Sequence, residues 1–325
     1  MKILYSYRTE EERDYVAKTL SEYEVIFHDG SLQNGDWNGK DVEILSIFVN
    51  STVGKEEFEK LPDLKFIAGR STGYDHIDLK LAKEKGVVVS NVPAYGEHTV
   101  AEFAFALLLT ISRKIPEATN RVREENSFNP NGLAGFDLSE KTIGILGTGK
   151  IGKNAIKIAK GFGMKVLAFD MYPDKKFAEE MNYEYVELDE LLEKSDILSL
   201  HLPENDDTHK ILNKEKFEKT KPGTVLINTA RGSLIDSEAL LWALDENIIS
   251  FAGLDVLSEE ADIFNDHPNN QKEAELNQKL IQHPNVLITP HVGFNTKEAS
   301  QRIIDTSLEN IEKFVSGEPQ NIVSG

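Results

Sequence analysis

Lys141-Thr-Ile-Gly-Ile-Leu-Gly147-Thr-Gly149-Lys-Ile-Gly152 is a short apolar run followed at once by three glycines in the spacing Gly-x-Gly-x-x-Gly. The run before the glycines reads as a buried strand. From Lys150 to Phe162, Ile151, Ala155, Ile158, Ala159 and Phe162 recur on one helical face, and Met164–Phe169 reads as a second strand that ends in Asp170. Strand, glycine turn, helix, strand and acid in that order form the signature of a dinucleotide-binding βαβ unit. Gly147 permits the tight turn, Gly149 lets the backbone approach a pyrophosphate, and Gly152 lets the helix lie close to the strand. The amides at the helix N-terminus then face the anion. Asp170 stands 23 positions after Gly147, where a carboxylate accepts hydrogen bonds from an adenosine ribose and repels a 2′-phosphate. NAD is therefore expected over NADP, with Lys175 and Lys176 pulling the other way. A glycine triplet alone marks only a tight turn; the flanking elements carry the reading.

Outward from this unit the same rhythm continues. Strands are expected at 143–146, 165–169, 184–186, 196–200, 224–228, 250–253 and 286–288. Upstream, Ile3–Tyr5, Glu24–Phe27, Ile44–Phe48, Lys65–Ala68 and Val87–Val89 read as strands, with helices at Glu10–Leu20, Lys55–Leu61 and Leu79–Lys85. Alternating strands and helices imply an open parallel sheet covered on both faces. The fold class expected is α/β, with two doubly wound parallel-sheet domains, one a Rossmann-type NAD domain and the other a flavodoxin-like substrate domain, and a cleft between them. Two helices read as connectors. One runs from His98 to Arg121 with Val100, Ala104, Leu107, Leu108, Ile111 and Ile115 on one face. The other, Lys297–Val315, carries Ile304, Leu308, Ile311 and Val315 along one stripe. The domains expected are residues 1–97 plus 297–325, discontinuous, and residues 98–296.

A chain of 325 residues can bury two cores. Its net charge of −19 speaks against nucleic acid and anionic membranes as partners, and otherwise serves solubility. With no cysteine, disulfides and thiolate chemistry are excluded, and a cytoplasmic protein is expected. The N-terminus turns charged too early for a signal peptide, and the longest apolar run, Val100–Ile111, contains Glu102 and is too short to span a bilayer. His-rich metal spacing is absent, so no metal is expected. Neither a Gly-x-Ser-x-Gly elbow nor a Lys-Ser/Thr after the glycines is present.

Three downstream strands each end in polar residues. Thr224–Gly232 delivers Arg231, Phe251–Glu260 delivers Asp255 and Glu260, and Val286–Gly293 delivers His291. All would emerge at the carboxyl edge of the nucleotide-binding sheet, where an open α/β sheet binds its ligands. A guanidinium can grip a carboxylate bidentately and polarise the adjacent carbonyl. An imidazole can move a proton near neutral pH, and a neighbouring carboxylate fixes its tautomer. Taken singly, a loop arginine is usually a surface ion-pair partner, and Glu260 is one carboxylate among many. Five of the other histidines (His28, His76, His209, His267 and His283) read as surface or turn residues, and His98 as the start of the first connecting helix. Joint placement behind the glycine motif is what makes Arg231, Glu260 and His291 a set suited to hydride transfer to a 2-oxo acid.

Nearly the whole chain resembles the D-isomer-specific 2-hydroxyacid dehydrogenase family, and within it the D-lactate dehydrogenases. The resemblance rests on Arg70-Ser-Thr-Gly-Tyr-Asp-His-Ile-Asp78, Asn91-Val-Pro-Ala-Tyr95, Gly147–Gly152, His201-Leu-Pro203, Asn228-Thr-Ala-Arg-Gly232, Gly253–Val256 through Glu260, and Thr289-Pro-His291, in that order. It implies that Arg231 anchors the substrate, that His291 is the acid/base and that Glu260 holds His291 protonated. It also implies that the amides of Thr72 and Gly73 receive the far carboxylate oxygen, with Tyr95 lining the pocket. NAD would be held by Lys150 and Ile151 at the pyrophosphate and by Asp170 at the ribose. Leu202, Pro203 and Thr208 would wall the adenosine side, and Thr229, Ala230 and Asp255 would approach the nicotinamide. The resemblance further implies a homodimer. Phe294 and the stretch Ile263–His267 are similar to the lactate-type members, whereas Tyr95-Gly-Glu-His98 departs from the Tyr-Ser-Pro common after this tyrosine. Within the family the alternatives are 2-oxoisocaproate, glyoxylate or hydroxypyruvate as substrate. From another class, the alternative is an NADH-sensing protein without turnover. Residues 265–284, polar and Asn/Gln-rich, read as a surface excursion with its own short helix.

Overall fold

The computed structural model describes residues 1–260, 263 and 268–323. They form two compact units, Met1–Tyr95 with Thr296–Gly325, and Gly96–Asn295.

In the first unit, strands β1 (Lys2–Tyr7), β2 (Glu24–Asp29), β3 (Ile44–Ile47), β4 (Phe66–Gly69) and β5 (Val88–Ser90) pair in parallel in the order β5-β4-β3-β1-β2. A short strand at Ile322–Val323 adds to β5 antiparallel, a departure from the all-parallel sheet expected from the sequence. These strands are nearly continuous apolar runs because both faces are covered. Helix Lys297–Val315 lays Ile304, Leu308 and Ile311 against Ile3, Tyr5, Ile44 and Phe66 on one face. Leu4, Leu45, Ile67 and Val89 meet Phe58 and Ala82 on the other.

In the second unit, β6 (Thr142–Leu146), β7 (Lys165–Phe169), β8 (Glu184–Tyr185), β9 (Ile197–Leu200), β10 (Thr224–Asn228), β11 (Ile249–Leu254) and β12 (Val286–Ile288) form one parallel sheet in the order β12-β11-β10-β9-β6-β7-β8. Helices Glu97–Ser112 and Lys150–Gly161 cover one face, with Ala104, Leu108, Ala155 and Ala159 against Ile143, Ile145 and Val166. Helices Leu188–Lys194, Lys214–Lys219, Ser237–Asp245 and Gln271–Gln282 cover the other. The chain leaves β6 in one direction and returns through β9 in the other, so the switch point of the sheet lies between the ends of these two strands. Doubly wound folds bind their ligands at that point.

The helix expected over His98–Arg121 is two helices, Glu97–Ser112 and Ile115–Arg123, joined at Lys114 in the left-handed conformation (φ 50°). Pro116 is the cause. Without an N–H it fits only the first turn of a helix, and the Ser112 carbonyl that residue 116 would have engaged in a continuous helix accepts the Phe136 amide instead (3.0 Å). Ile115 therefore leaves the apolar stripe and is half exposed. Within 265–284 the structure has helix Gln271–Gln282; residues 264–267, which include most of the lactate-like stretch 263–267, lie outside the described residues. Among the described residues no helix is long and apolar enough to cross a membrane.

Candidate active site

At the switch point the three glycines of the loop serve different ends. Gly147 has φ 95°, and a Cβ on it would stand 2.7 Å from the carbonyl of His201, at the end of β9. On Gly152 a Cβ would come within 2.0 Å of the Gly147 oxygen. The fold itself requires both. On Gly149, by contrast, a Cβ would meet no atom within 4 Å. Gly149 is also the N-cap of helix Lys150–Gly161 and offers no side-chain cap, which leaves the first amides of that helix, including Lys150 and Ile151, without a hydrogen-bond acceptor among the described residues. A pyrophosphate fits here, where the chain keeps its own atoms away. Lys150 ion-pairs with Glu97 at 3.2 Å.

Asp170, at the end of β7, accepts the Thr148 amide (2.6 Å) and hydroxyl (2.9 Å) on Oδ2 and the Tyr172 amide (2.8 Å) on Oδ1. Lys176 lies 4.0 Å from Glu180, and both lysines that opposed the NAD reading are exposed. On the other side of the switch, Leu202 is buried. Thr208 gives its single hydroxyl proton to the Pro203 carbonyl (2.7 Å), so it closes the 203–208 turn and can act as a wall but not as a donor. Thr229, at the end of β10, has a buried hydroxyl with no partner among the described residues. A buried, unspent polar atom beside Ala230 fits a cofactor that brings its own hydrogen-bonding group. The loop, the acid and this hydroxyl together fit NAD.

The carboxyl ends of β10, β11 and β12 are tied into one piece. Asn228, fully buried, accepts the Ala230 amide (3.0 Å) and donates to the Arg231 carbonyl (2.8 Å), which sets the turn that carries Arg231. The Arg231 guanidinium donates back to the Ala230 carbonyl (2.7 Å). Gly232 presses on the loop after β11, where a Cβ would lie 1.9 Å from the Leu257 carbonyl carbon. Asp255 is 2% exposed, and its carboxylate accepts the Thr289 hydroxyl (2.5 Å) and the amides of Val292 (2.9 Å) and Gly293 (2.7 Å). Burial raises its pKa, opposed by these donors. Asp255 therefore shapes the turn bearing His291, rather than facing a ligand with a free carboxylate.

Glu260 and His291 meet. The imidazole Nδ1 is 2.9 Å from Glu260 Oε2, while Oε1 accepts the Leu257 amide (3.2 Å). An ionised carboxylate only accepts, so Nδ1 carries the hydrogen and Nε2 is the nitrogen left for proton transfer. Both side chains are exposed, at 40% and 38%, as a pair meant to meet a ligand must be. Phe294 follows, half buried.

In the first unit, the loop after β4 spends all its carbonyls. Ser71 accepts from the Val92 amide (2.9 Å), Thr72 from the Asn91 side chain (2.8 Å) and Gly73 from the Ser71 hydroxyl (2.6 Å). No acceptor among the described residues engages the Thr72 and Gly73 amides, so the loop presents donors only, the chemistry an anion requires. The Tyr95 carbonyl is held by the Arg302 guanidinium.

Several supporting residues escaped the sequence reading. Arg70 was quoted only as part of a motif, yet it is 1% exposed and paired with buried Glu12. Asn277 is fully buried on helix Gln271–Gln282 and donates to the Ser258 carbonyl (2.6 Å), while Gln278 donates to that of Ile263 (2.7 Å). The unexplained excursion thus grips the loop that bears Glu260. An asparagine among the apolar positions of that helix was the available signal.

Residues 105–293 match the family model described as D-isomer specific 2-hydroxyacid dehydrogenase, NAD binding domain. The chain is 41% identical over 279 residues to the D-lactate dehydrogenase of Escherichia coli, covering 85% of this chain and 84% of that one. It is 42% identical over 275 residues to an aromatic 2-oxoacid reductase of Clostridium sporogenes, covering 83% and 82%. Among solved structures it is similar to the D-lactate dehydrogenase of Aquifex aeolicus complexed with NAD and lactic acid, with a TM-score of 0.88 and 32% identity over 99% of both chains.

Proposed function

The chain belongs to the D-isomer-specific 2-hydroxyacid dehydrogenases, NAD-dependent oxidoreductases, and from that premise we propose that it reduces pyruvate with NADH to D-lactate. The observation that carries the assignment of roles is the His291–Glu260 pair, held at 2.9 Å, with Gly232 of the turn that carries Arg231 packed against Leu257 of the loop that bears Glu260. NADH, when bound, supplies a hydride to the carbonyl carbon of the 2-oxo acid. His291 gives the proton on Nε2 to the carbonyl oxygen, and Glu260 keeps the opposite ring nitrogen protonated and offsets the charge of the imidazolium. Arg231 holds the substrate carboxylate and polarises its carbonyl. The Thr72 and Gly73 amides are assigned to a carboxylate oxygen, and Tyr95 and Phe294 to recognition of the substrate side chain. Lys150, Ile151 and Asp170 hold the cofactor at pyrophosphate and ribose, Leu202, Pro203 and Thr208 wall the adenosine, and Thr229 and Ala230 face the nicotinamide. Asp255 supports that end through the His291 turn.

Pyruvate is favoured by Phe294 directly after the His291 turn and by the lactate-type relatives. The test is NADH oxidation with pyruvate, phenylpyruvate, 2-oxoisocaproate, glyoxylate and hydroxypyruvate, repeated with NADPH. The highest kcat/KM is expected for pyruvate with NADH. A preference for phenylpyruvate or another member of the panel replaces the substrate. No turnover with tight NADH binding replaces the enzyme by a nucleotide sensor. The same reading includes a homodimer, checked by light scattering after size exclusion, and a cytoplasmic location, where NADH is at hand.

A further inference from the structure

We propose that Tyr185, acting through Thr148, is a positioning residue for Asp170 and helps set the preference for NADH over NADPH; the inference rests on the reading of Asp170 as the ribose acceptor. Four side chains form a chain of hydrogen bonds in which every proton has one permitted direction. Asp170 Oδ2 accepts the Thr148 hydroxyl at 2.9 Å as well as the Thr148 amide at 2.6 Å. Having given its only proton to the carboxylate, Thr148 Oγ1 must accept from Tyr185, whose hydroxyl is 2.8 Å away. Tyr185 in turn accepts from Tyr183 (3.0 Å) and from the Asp174 amide (3.1 Å). Thr148 and Tyr183 are buried, and burial raises the pKa of Tyr183, which keeps it a donor. Asp174 is fixed as well, as the N-cap of helix Lys175–Met181 and the 2.5 Å partner of Lys153. All the hydroxyl protons therefore point towards Asp170.

The consequence concerns discrimination. A carboxylate rejects a 2′-phosphate only if it stays in place. One free to rotate away leaves room for the phosphate, and exposed Lys175 and Lys176 follow closely in the chain. Oδ2 is saturated by Thr148 and Oδ1 is occupied once by Tyr172, so the rotamer is locked with one Oδ1 acceptor site remaining for a ribose hydroxyl. Tyr185, on the short edge strand β8, touches neither cofactor nor substrate in this account and acts only through that lock.

The experiment is calorimetric titration of the whole protein with NADH and with NADPH, without substrate, so that the readout is the ratio of the two Kd values. Tyr185→Phe, which deletes one hydroxyl, is expected to lower the NADPH/NADH Kd ratio about five-fold, the size of one lost hydrogen bond. Thr148→Val should do the same, and Thr148→Ser, which keeps the hydroxyl, should restore the native ratio. In an Asp170→Ala background Tyr185→Phe should change the ratio no further, because the residue it positions is gone. An unchanged ratio in Tyr185→Phe, or an equal weakening of both cofactors, overturns the proposal and leaves Tyr185 a structural strut. If Asp170→Ala itself leaves the ratio unchanged, the ribose reading fails. If Asp170→Ala narrows the ratio but Tyr185→Phe and Thr148→Val do not, only the relay fails.

Discussion

His291 Nδ1 lies 2.9 Å from Oε2 of Glu260, although His291 itself sits in the left-handed region at φ 51°. A non-glycine residue there is strained by about 1–3 kcal/mol. The surroundings over-determine it: the His291 amide donates to the Asp255 carbonyl (2.9 Å), and the next two amides go to the Asp255 carboxylate. Glu260→Gln keeps an acceptor for Nδ1–H but loses the charge, whereas Glu260→Ala loses both. We expect kcat for 2-oxo acid reduction to fall about ten-fold in Glu260→Gln and a further ten-fold or more in Glu260→Ala, within the range for acid–base catalysis. NADH Kd should hardly move in either. Equal losses in the two variants would show that charge alone matters, and a weakened Kd would make Glu260 structural.

Asp255 predicts a different failure. Its carboxylate accepts three donors and gives none. Asparagine is nearly isosteric but would turn an NH2 group towards at least one of those donors, at a cost of about 1–3 kcal/mol for the buried group left unmatched. Asp255→Asn should lower thermal stability and cut kcat by more than ten-fold, because the turn bearing His291 relaxes. Wild-type kcat in this variant would show that the His291 turn holds without it.

Much of this was legible because periodicity and glycine spacing report backbone needs directly. The strands at 165–169, 224–228 and 286–288 fall where the apolar runs placed them. The break at Lys114 was missed because the apolar stripe runs on past it, and only Pro116 signals the stop. The same limit applies to the site. Arg231, Glu260 and His291 follow strand ends and could be singled out, but Asn277, Tyr185 and the Glu12–Arg70 pair act through contacts remote in sequence. Which carboxylate Arg70 meets, 58 positions away, depends on the order β4-β3-β1, and no local pattern encodes it.

His201 gives a pH dependence. Burial pushes its pKa down from 6.5 to about 4; Nε2 is 2.9 Å from the Ser199 hydroxyl, and Nδ1 is buried without a partner among the described residues. Between these two values the unfolded chain binds a proton that the folded chain refuses, so stability falls as pH drops from about 6.5 towards 4 and levels off below. The full difference corresponds to about 3 kcal/mol. Measured by urea unfolding, the wild type should lose that much relative to His201→Asn between pH 7.5 and 4, while the shared carboxylates cancel. Parallel curves for the two proteins would mean that the imidazole is protonated in the fold.

Glu12 and Arg70 make the strongest stability prediction. Both are buried, at 5% and 1% exposed, and the guanidinium donates to Glu12 and to the Ser6 carbonyl while lying 4.2 Å over the Tyr5 ring. Tyr5 donates its hydroxyl to the same carboxylate at 3.0 Å, and Arg8 approaches the other carboxylate oxygen at 3.4 Å. Removing one partner strands the other charge away from water. Glu12→Ala should therefore destabilise the protein by about 3–5 kcal/mol. Replacing both, as Glu12→Leu with Arg70→Met, should cost less than Glu12→Ala, since Tyr5 and Arg8 lose their acceptor in both variants but the Arg70 charge is left buried alone only in the single one. Urea unfolding of the wild type, the single and the double variant decides it. A double variant less stable than Glu12→Ala would show that the pair's attraction outweighs the desolvation of its two charges. Arg70 directly precedes the Ser71–Gly73 loop, so the single variant should also raise KM for the 2-oxo acid more than it lowers kcat. The reverse split would place the effect of this pair on the chemistry instead of on substrate binding.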